Sequence, residues 1–206
     1  MITQLNGVLG LAALILSIVN ALILIQNYLR DRASLTVDPI HPDVYQWWFE
    51  LPEGNLEGRP TRRFGFLTYV GIGNRGLRKV ALKSWRLFVP DYAHLRKHEL
   101  LPLSIPEPVM ELDALTKVFS VLGIKGVNFS SGDTVVDSGC SISGWAYFHA
   151  EYFGDKKWNP VIKNDTIQAD FVIHDIFGGV AKTNISFSRK ALGFIEQIIP
   201  TIQDIR

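Results

Sequence analysis

Hydrophobic positions along the chain change period twice. From Leu5 to Ile25 they are continuous: LNGVLGLAALILSIVNALILI runs without a charge. At about 1.5 Å of rise per residue, such a run crosses a hydrocarbon core of roughly 30 Å. Residues 5–27 are therefore expected to form one membrane-spanning helix, with 1–30 as a transmembrane anchor. A helix buried in a soluble core is rarely apolar on every face. A cleaved secretory signal would need a positive leading segment, an apolar run of roughly 7–15 residues and a small-residue cleavage site. Here no Lys or Arg precedes the run, the run is longer, and Asn27-Tyr28-Leu29-Arg30 offers no small pair. Gly7 and Gly10 form a short small-residue pair of the kind that lets helices approach, or that membrane helices simply tolerate.

Residues 31–62 carry Pro39, Pro42, Pro52, Gly54, Gly58 and Pro60, spaced too closely for a long helix or a central strand. They are expected to form a juxtamembrane spacer. Within it, Tyr45-Gln46-Trp47-Trp48-Phe49 is a dense aromatic cluster, suited either to the headgroup level or to covering one end of the adjoining domain.

From Arg63 the period becomes two. Phe64, Phe66, Thr68, Val70 and Ile72 share one face of an extended segment, and Gly73-Asn74-Arg75-Gly76 supplies a turn. A second strand, 80–90, alternates Val80, Leu82, Ser84, Arg86 and Phe88 with Ala81, Lys83, Trp85, Leu87 and Val89. Further strands are expected at 117–122, 141–153, 167–176 and 180–188, the last two joined by a hairpin at Phe177-Gly178-Gly179. After Ser188, taken as an N-cap, the period moves to about three and a half. Ala191, Ile195, Ile198, Ile202 and Ile205 form an amphipathic stripe over 189–206, interrupted by Pro200. The stripe needs another surface: its own sheet, a partner subunit or second copy, or the membrane interface.

Several short strands without strand–helix alternation indicate a mainly β chain, an antiparallel sandwich over 63–188. The stretch YVGIGNRGLRKVALKSWRLFV, the segment VVDSGCSISGWAYFHAEYF and the closing hairpin IQADFVIHDIFGGVAKTNISF resemble the immunoglobulin-like β-sandwich domains of small membrane-anchored proteins of unknown function. That likeness implies a fold and no catalytic residues. The Cys, Trp and Cys of antibody-type domains are absent.

Composition adds little. Twenty-one basic residues stand against 20 acidic ones, a net charge of +1, which argues against a nucleic-acid partner. Arg30 and Arg32 follow the apolar run and favour a cytoplasmic domain in a single-pass cell-membrane protein. A single cysteine, Cys140, excludes an intramolecular disulfide. The sequons at Asn128, Asn164 and Asn184 matter only outside the cell of a glycosylating organism.

Three features offer chemistry or contact. Val135-Val136-Asp137-Ser138-Gly139 resembles the loop of retropepsin-like aspartic proteases. There, two loops meet in a homodimer and share a proton, which would make Asp137 the catalytic residue; the alternative is a polar turn. His94 and His98 stand at i, i+4, but with Leu95-Arg96-Lys97 between them they do not form a zincin motif. No metal site or cofactor is expected. Arg59, Arg62, Arg63, Arg75, Arg78, Lys79 and Lys83 form a basic strip that can face anionic lipid, with Arg75, Arg78 and Lys79 at its turn, or be plain solvated charge. The overall expectation is a membrane-anchored, non-enzymatic interaction or assembly module, contacting partners through Ile195, Ile198, Ile202 and these cations.

Overall fold

The computed structural model describes residues 2–31, 34–91, 97–112, 115–122, 134–153 and 160–205. Helix α1 spans Ile2–Arg30. The strands follow in chain order: β1 (Leu35–Pro39), β2 (Gln46–Leu56), β3 (Arg59–Asn74), β4 (Val80–Pro90), β5 (Lys97–Leu100), β6 (Pro102–Leu103), β7 (Val109–Leu112), β8 (Leu115–Val118), β9 (Val135–Val136), β10 (Ser141–Phe153), β11 (Ile162–Lys163), β12 (Thr166–Asp175) and β13 (Val180–Arg189). A short helix α2 (Leu192–Ile198) and a 3₁₀ turn (Ile202–Asp204) close the chain. His94, the 92–96 segment and the sequon at Asn128 lie outside the described residues.

The chain is mainly β, and the strands form one large mixed sheet in the order β5-β4-β12-β13-β2-β3-β10-β6. Strands β7 and β8 form a separate pair. The expectation of a purely antiparallel arrangement is corrected at one point: β13 pairs with β2 in parallel, Ser188 opposite Trp47. This pairing joins two half-sheets that face each other across a shared core. Phe66 of β3 meets Phe187 of β13 edge-on at 5.5 Å, and Phe148 of β10 meets Phe171 of β12 at 5.9 Å. Val70, Ile72, Leu87, Ile173 and Ile185 fill the same layer.

A second apolar layer lies on the outer face of β2, β3 and β10. Trp47, Phe49, Leu67, Trp145 and Tyr147 are covered there by Ile195, Ile198, Ile199 and Ile202. Strands β2, β3 and β10 are thus covered on both faces, which explains why consecutive residues Trp47, Trp48 and Phe49 are only 2, 1 and 0% exposed. Gly65 makes the outer layer possible, since a Cβ there would fall 2.4 Å from the Phe49 ring.

The segment read as a spacer is therefore part of the sheet. Its prolines sit where a ladder tolerates them: Pro39 ends β1, and Pro52 lies in the irregularity between Leu51 and Gly54. Glu57 and Gly58 both take positive φ (54° and 76°), as a two-residue hairpin between β2 and β3 requires. Strand β4 also departs from simple alternation. Val80 and Leu82 are buried, then Trp85, Leu87 and Val89. The register against β12 skips Lys83 at a bulge, so the buried face changes phase there. The strand expected at 117–122 lies at 115–118 instead, and Val121 keeps only an isolated bridge to Trp145.

Candidate functional site

The best-defined polar architecture lies where helix α1 hands over to the sheet. Ser34, four residues beyond the end of the helix, is already bonded to it: Arg75 N donates to Ser34 O at 2.8 Å, and Ser34 N to Asn74 Oδ1 at 3.4 Å. Asn74 ends β3 with a side chain that is buried and fully engaged. Its Oδ1 also accepts from Gly76 N at 3.0 Å, while its Nδ2 donates to Arg78 O at 2.6 Å and Val136 O at 3.2 Å. One amide thus joins the post-helix segment, the β3–β4 turn and β9. Gly139 N donates to Asn74 O, Asn74 N to Cys140 O, and Ser138 Oγ to Gly76 O, which brings in the β9–β10 turn.

The β12–β13 hairpin stands beside this joint. Asp175 is 3% exposed, and its Oδ1 accepts from both Phe177 N and Gly179 N at 2.7 Å. Gly178 takes φ +86°, and a Cβ on Gly179 would fall 2.2 Å from the Asp175 carboxylate. This closed turn leaves Ile176 and Phe177 at the tip, 51 and 65% exposed. Ile176 N donates to Ala81 O at 3.1 Å and secures the tip to β4. A cleft of about 450 Å³ between helix and hairpin is lined by Tyr28, Asp31, Arg78, Asp175, Phe177, Gly178 and Gly179. Arg75, Arg78 and Lys79 are exposed around it.

The basic strip does not form one surface. Arg75, Arg78 and Lys79 lie at the helix-proximal turn, whereas Arg63, Arg62 and Arg59 lie about 35–50 Å away along β3, at roughly 3.3 Å per residue. Arg63 is buried, donating to Gln203 O at 3.1 Å and His149 Nε2 at 3.4 Å, and so holds the C-terminal turn against the sheet. Arg62 and Arg59 lie over the rings of Phe64 and Phe153.

Asp137 sits in the turn after β9, its side chain 63% exposed and 3.1 Å from Lys79 Nζ. An aspartic-protease carboxylate works by sharing a proton with a second carboxylate in a protected dyad. A solvent-exposed ion pair with lysine supplies neither the enclosure nor the second carboxylate that such a dyad needs. Nothing in this geometry supports the protease alternative.

The C-terminal stripe folds back on its own sheet. Ile195, Ile198 and Ile202 are 0, 4 and 0% exposed in the outer apolar layer, so the chain itself covers the three residues expected to meet a partner. Ser188 is not the helix N-cap: it remains in β13, its Oγ donating to Gln46 O, and α2 starts after Ala191 without a side-chain cap.

No cluster of three or more metal-ligating side chains occurs among the described residues. His98 lies in β5 with Nε2 3.2 Å from Asp91 Oδ2. A different polar cluster binds three strands together: Asp170 of β12 contacts Lys97 of β5, and Lys182 and Asn184 of β13. Burial alone would push the Asp170 carboxyl up. The bonds from Lys97, Lys182 and Asn184 outweigh it and bring the pKa from 3.8 to about 2.

No family model and no curated protein matches the chain. Among solved structures, the chain is similar to a structural-genomics target protein at 8% identity, covering 76% of this chain and 85% of that one with a TM-score of 0.28. A Bordetella pertussis protein described as ApaA gives 13%, 77%, 96% and 0.28 for the same quantities. The archaellum periplasmic stator protein FlaG from Sulfolobus acidocaldarius gives 9%, 68%, 99% and 0.23. None of these likenesses assigns a family. At such scores they carry no argument about function either.

Sequence patterns announced the Asn-x-Gly turn but not the role of Asn74 within it. Asp175 had a signal, an Asp two residues ahead of Phe-Gly-Gly, in the pattern by which Asx side chains cap backbone amides two residues on.

Proposed function

We propose that this chain is a single-pass cell-membrane protein whose β domain is a non-enzymatic interaction or assembly module held at the bilayer by residues 5–27. One observation carries the proposal. From Gly10 to Tyr28 the helix is apolar and carries no charged side chain, and none of that stretch is buried by the rest of the chain. The sheet, by contrast, buries its own apolar layers. An apolar surface of that length left uncovered by its own protein is what a bilayer covers. Arg30 and Arg32 favour the cytoplasmic side for the domain.

The two facing half-sheets support the immunoglobulin-like likeness at the level of packing, and the parallel β13–β2 pair departs from it. Among the described residues, a surface suited to an interaction is the helix-proximal end, where cations and exposed apolar side chains meet. The Leu14→Arg/Ile18→Arg variant of the full chain tests the anchor. Each arginine at a helix centre costs about 2.5–3.5 kcal/mol on insertion scales. The variant should leave the membrane fraction while the protein keeps its β circular dichroism. Unchanged membrane retention would overturn the proposal.

A further inference from the structure

The single-pass reading leaves open how the domain stands on the membrane, and on that reading we propose that its helix-proximal end docks on the bilayer surface. Leu77, Ile176, Phe177 and Val180 would enter the interfacial layer, and Arg75, Arg78 and Lys79 would contact anionic headgroups.

The reach of the chain makes this contact hard to avoid. Helix α1, at 29 residues, is about 43 Å long, close to the roughly 40–45 Å of a bilayer with its headgroups. Its last residue, Arg30, therefore lies at the outer headgroup boundary when the helix spans. From Arg30 to Ser34 is four residues, at most about 14 Å of extended chain. Ser34 is hydrogen-bonded to Asn74 and Arg75. The β3–β4 turn is thus held near the headgroups by its bonds, whatever tilt the rest of the domain takes. The cleft shared by Tyr28, Asp31, Arg78 and Phe177 brings the hairpin tip to the same level.

The side chains at this end suit that position. Leu77, Ile176, Phe177 and Val180 are each about half exposed or more. They occupy two adjacent turns braced by the Ile176–Ala81 bond and by the Asp175 clamp. Scattered exposed apolar residues mean little. Four of them at the one end that carries the anchor, flanked by three cations, match an interfacial contact, where apolar tips enter and Lys or Arg meets anionic lipid. The acidic groups at this end equal the cations in number, but Asp175 is buried and occupied by backbone amides; the exposed Asp137, paired with Lys79, and Asp31, at the cleft, leave the three exposed cations an excess of one positive charge. The second basic group, near Arg59, lies too far along β3 to share this contact.

Full-length protein carrying Cys140→Ser and one environment-sensitive fluorophore, attached through Phe177→Cys or through Asn55→Cys at the opposite end of the sheet, tests the proposal. Both positions are exposed, so neither label disturbs the core. The proteins are reconstituted into phosphatidylcholine vesicles with or without phosphatidylglycerol, and quenching by nitroxide lipid is measured on floated vesicles. The label at position 177 should be quenched, more strongly with anionic lipid, and the label at position 55 should not. Each cation replaced by Gln should weaken docking about fivefold, so Arg75→Gln/Arg78→Gln/Lys79→Gln should abolish the gain from anionic lipid. A floated protein whose position 177 stays unquenched overturns docking and leaves the anchor standing. Quenching that follows protein density instead of lipid charge overturns it in favour of a second copy. Protein that fails to float overturns the anchor and the docking together.

Discussion

Replacing Asn74 with Ala should loosen the junction between helix and sheet more than any other single polar change there. The side chain is 2% exposed and makes four hydrogen bonds. Those with Gly76 N and Val136 O are buried, and each orphaned buried group costs about 1–3 kcal/mol. The bonds with Ser34 N and Arg78 O are partly open to water, which replaces them at smaller cost. The total comes to about 3 kcal/mol. For a domain of this size, 1 kcal/mol moves the melting temperature by about 2–4 °C, so Asn74→Ala should melt about 6–12 °C lower. Tryptophan fluorescence of the full chain in detergent reads the transition, and limited proteolysis should show earlier cutting around residues 31–34. Asn55→Ala, at the exposed far hairpin, serves as the control and should not move the transition. A shift below about 2 °C for Asn74→Ala would mean that water substitutes freely for the amide, and the junction would not be the rigid joint described above.

Ile195→Ala should destabilise by about 2–5 kcal/mol, the usual range for truncating a fully buried isoleucine, and deletion of 189–206 should abolish cooperative unfolding. Survival of the β spectrum and a sharp melt after that deletion would show the outer layer to be dispensable. Asp170 contributes stability that is complete above about pH 4 and is lost as pH falls towards 2, because its carboxyl is held at about 2 in the fold against 3.8 ordinarily. Asp170→Asn should accordingly flatten the acid limb of stability between pH 4 and pH 2; an unchanged limb would refute the assignment. Asp137→Ala removes only an exposed ion pair, worth about 0–1 kcal/mol, and should leave the melt nearly unchanged. A destabilisation well beyond about 1 kcal/mol would show that Asp137 does more than pair with Lys79 at the surface.

The chemistry of single segments was legible in the sequence, and its long-range pairing was not. The uncharged apolar run and the period-two stretches correspond to α1, β3, β10, β12 and β13 because those patterns arise from local geometry. Strands β1 and β2 were hidden by their prolines and glycines, which read as breaks unless the partner strand is known: Pro39 ends a strand, and Pro52 sits at a bulge. The phase change in β4 was hidden for a related reason, since one bulged residue exchanges the buried face for all that follow. An amphipathic stripe states that something covers it without saying what. Ile195, Ile198 and Ile202 therefore suited a partner as well as the sheet that covers them. Asn74 and Asp175 looked like ordinary turn residues because their weight comes from contacts such as Val136 and Gly179 that only the fold assembles.

Alkaline carbonate extraction of membranes from cells making the full chain, followed by the intact mass of the recovered protein, tests the anchor most directly. Residues 5–27 should keep the chain in the pellet, with all 206 residues still present, since peripheral contacts do not survive that treatment while an apolar span does. Release into the supernatant, or recovery of a shortened chain that begins beyond residue 27, would contradict it.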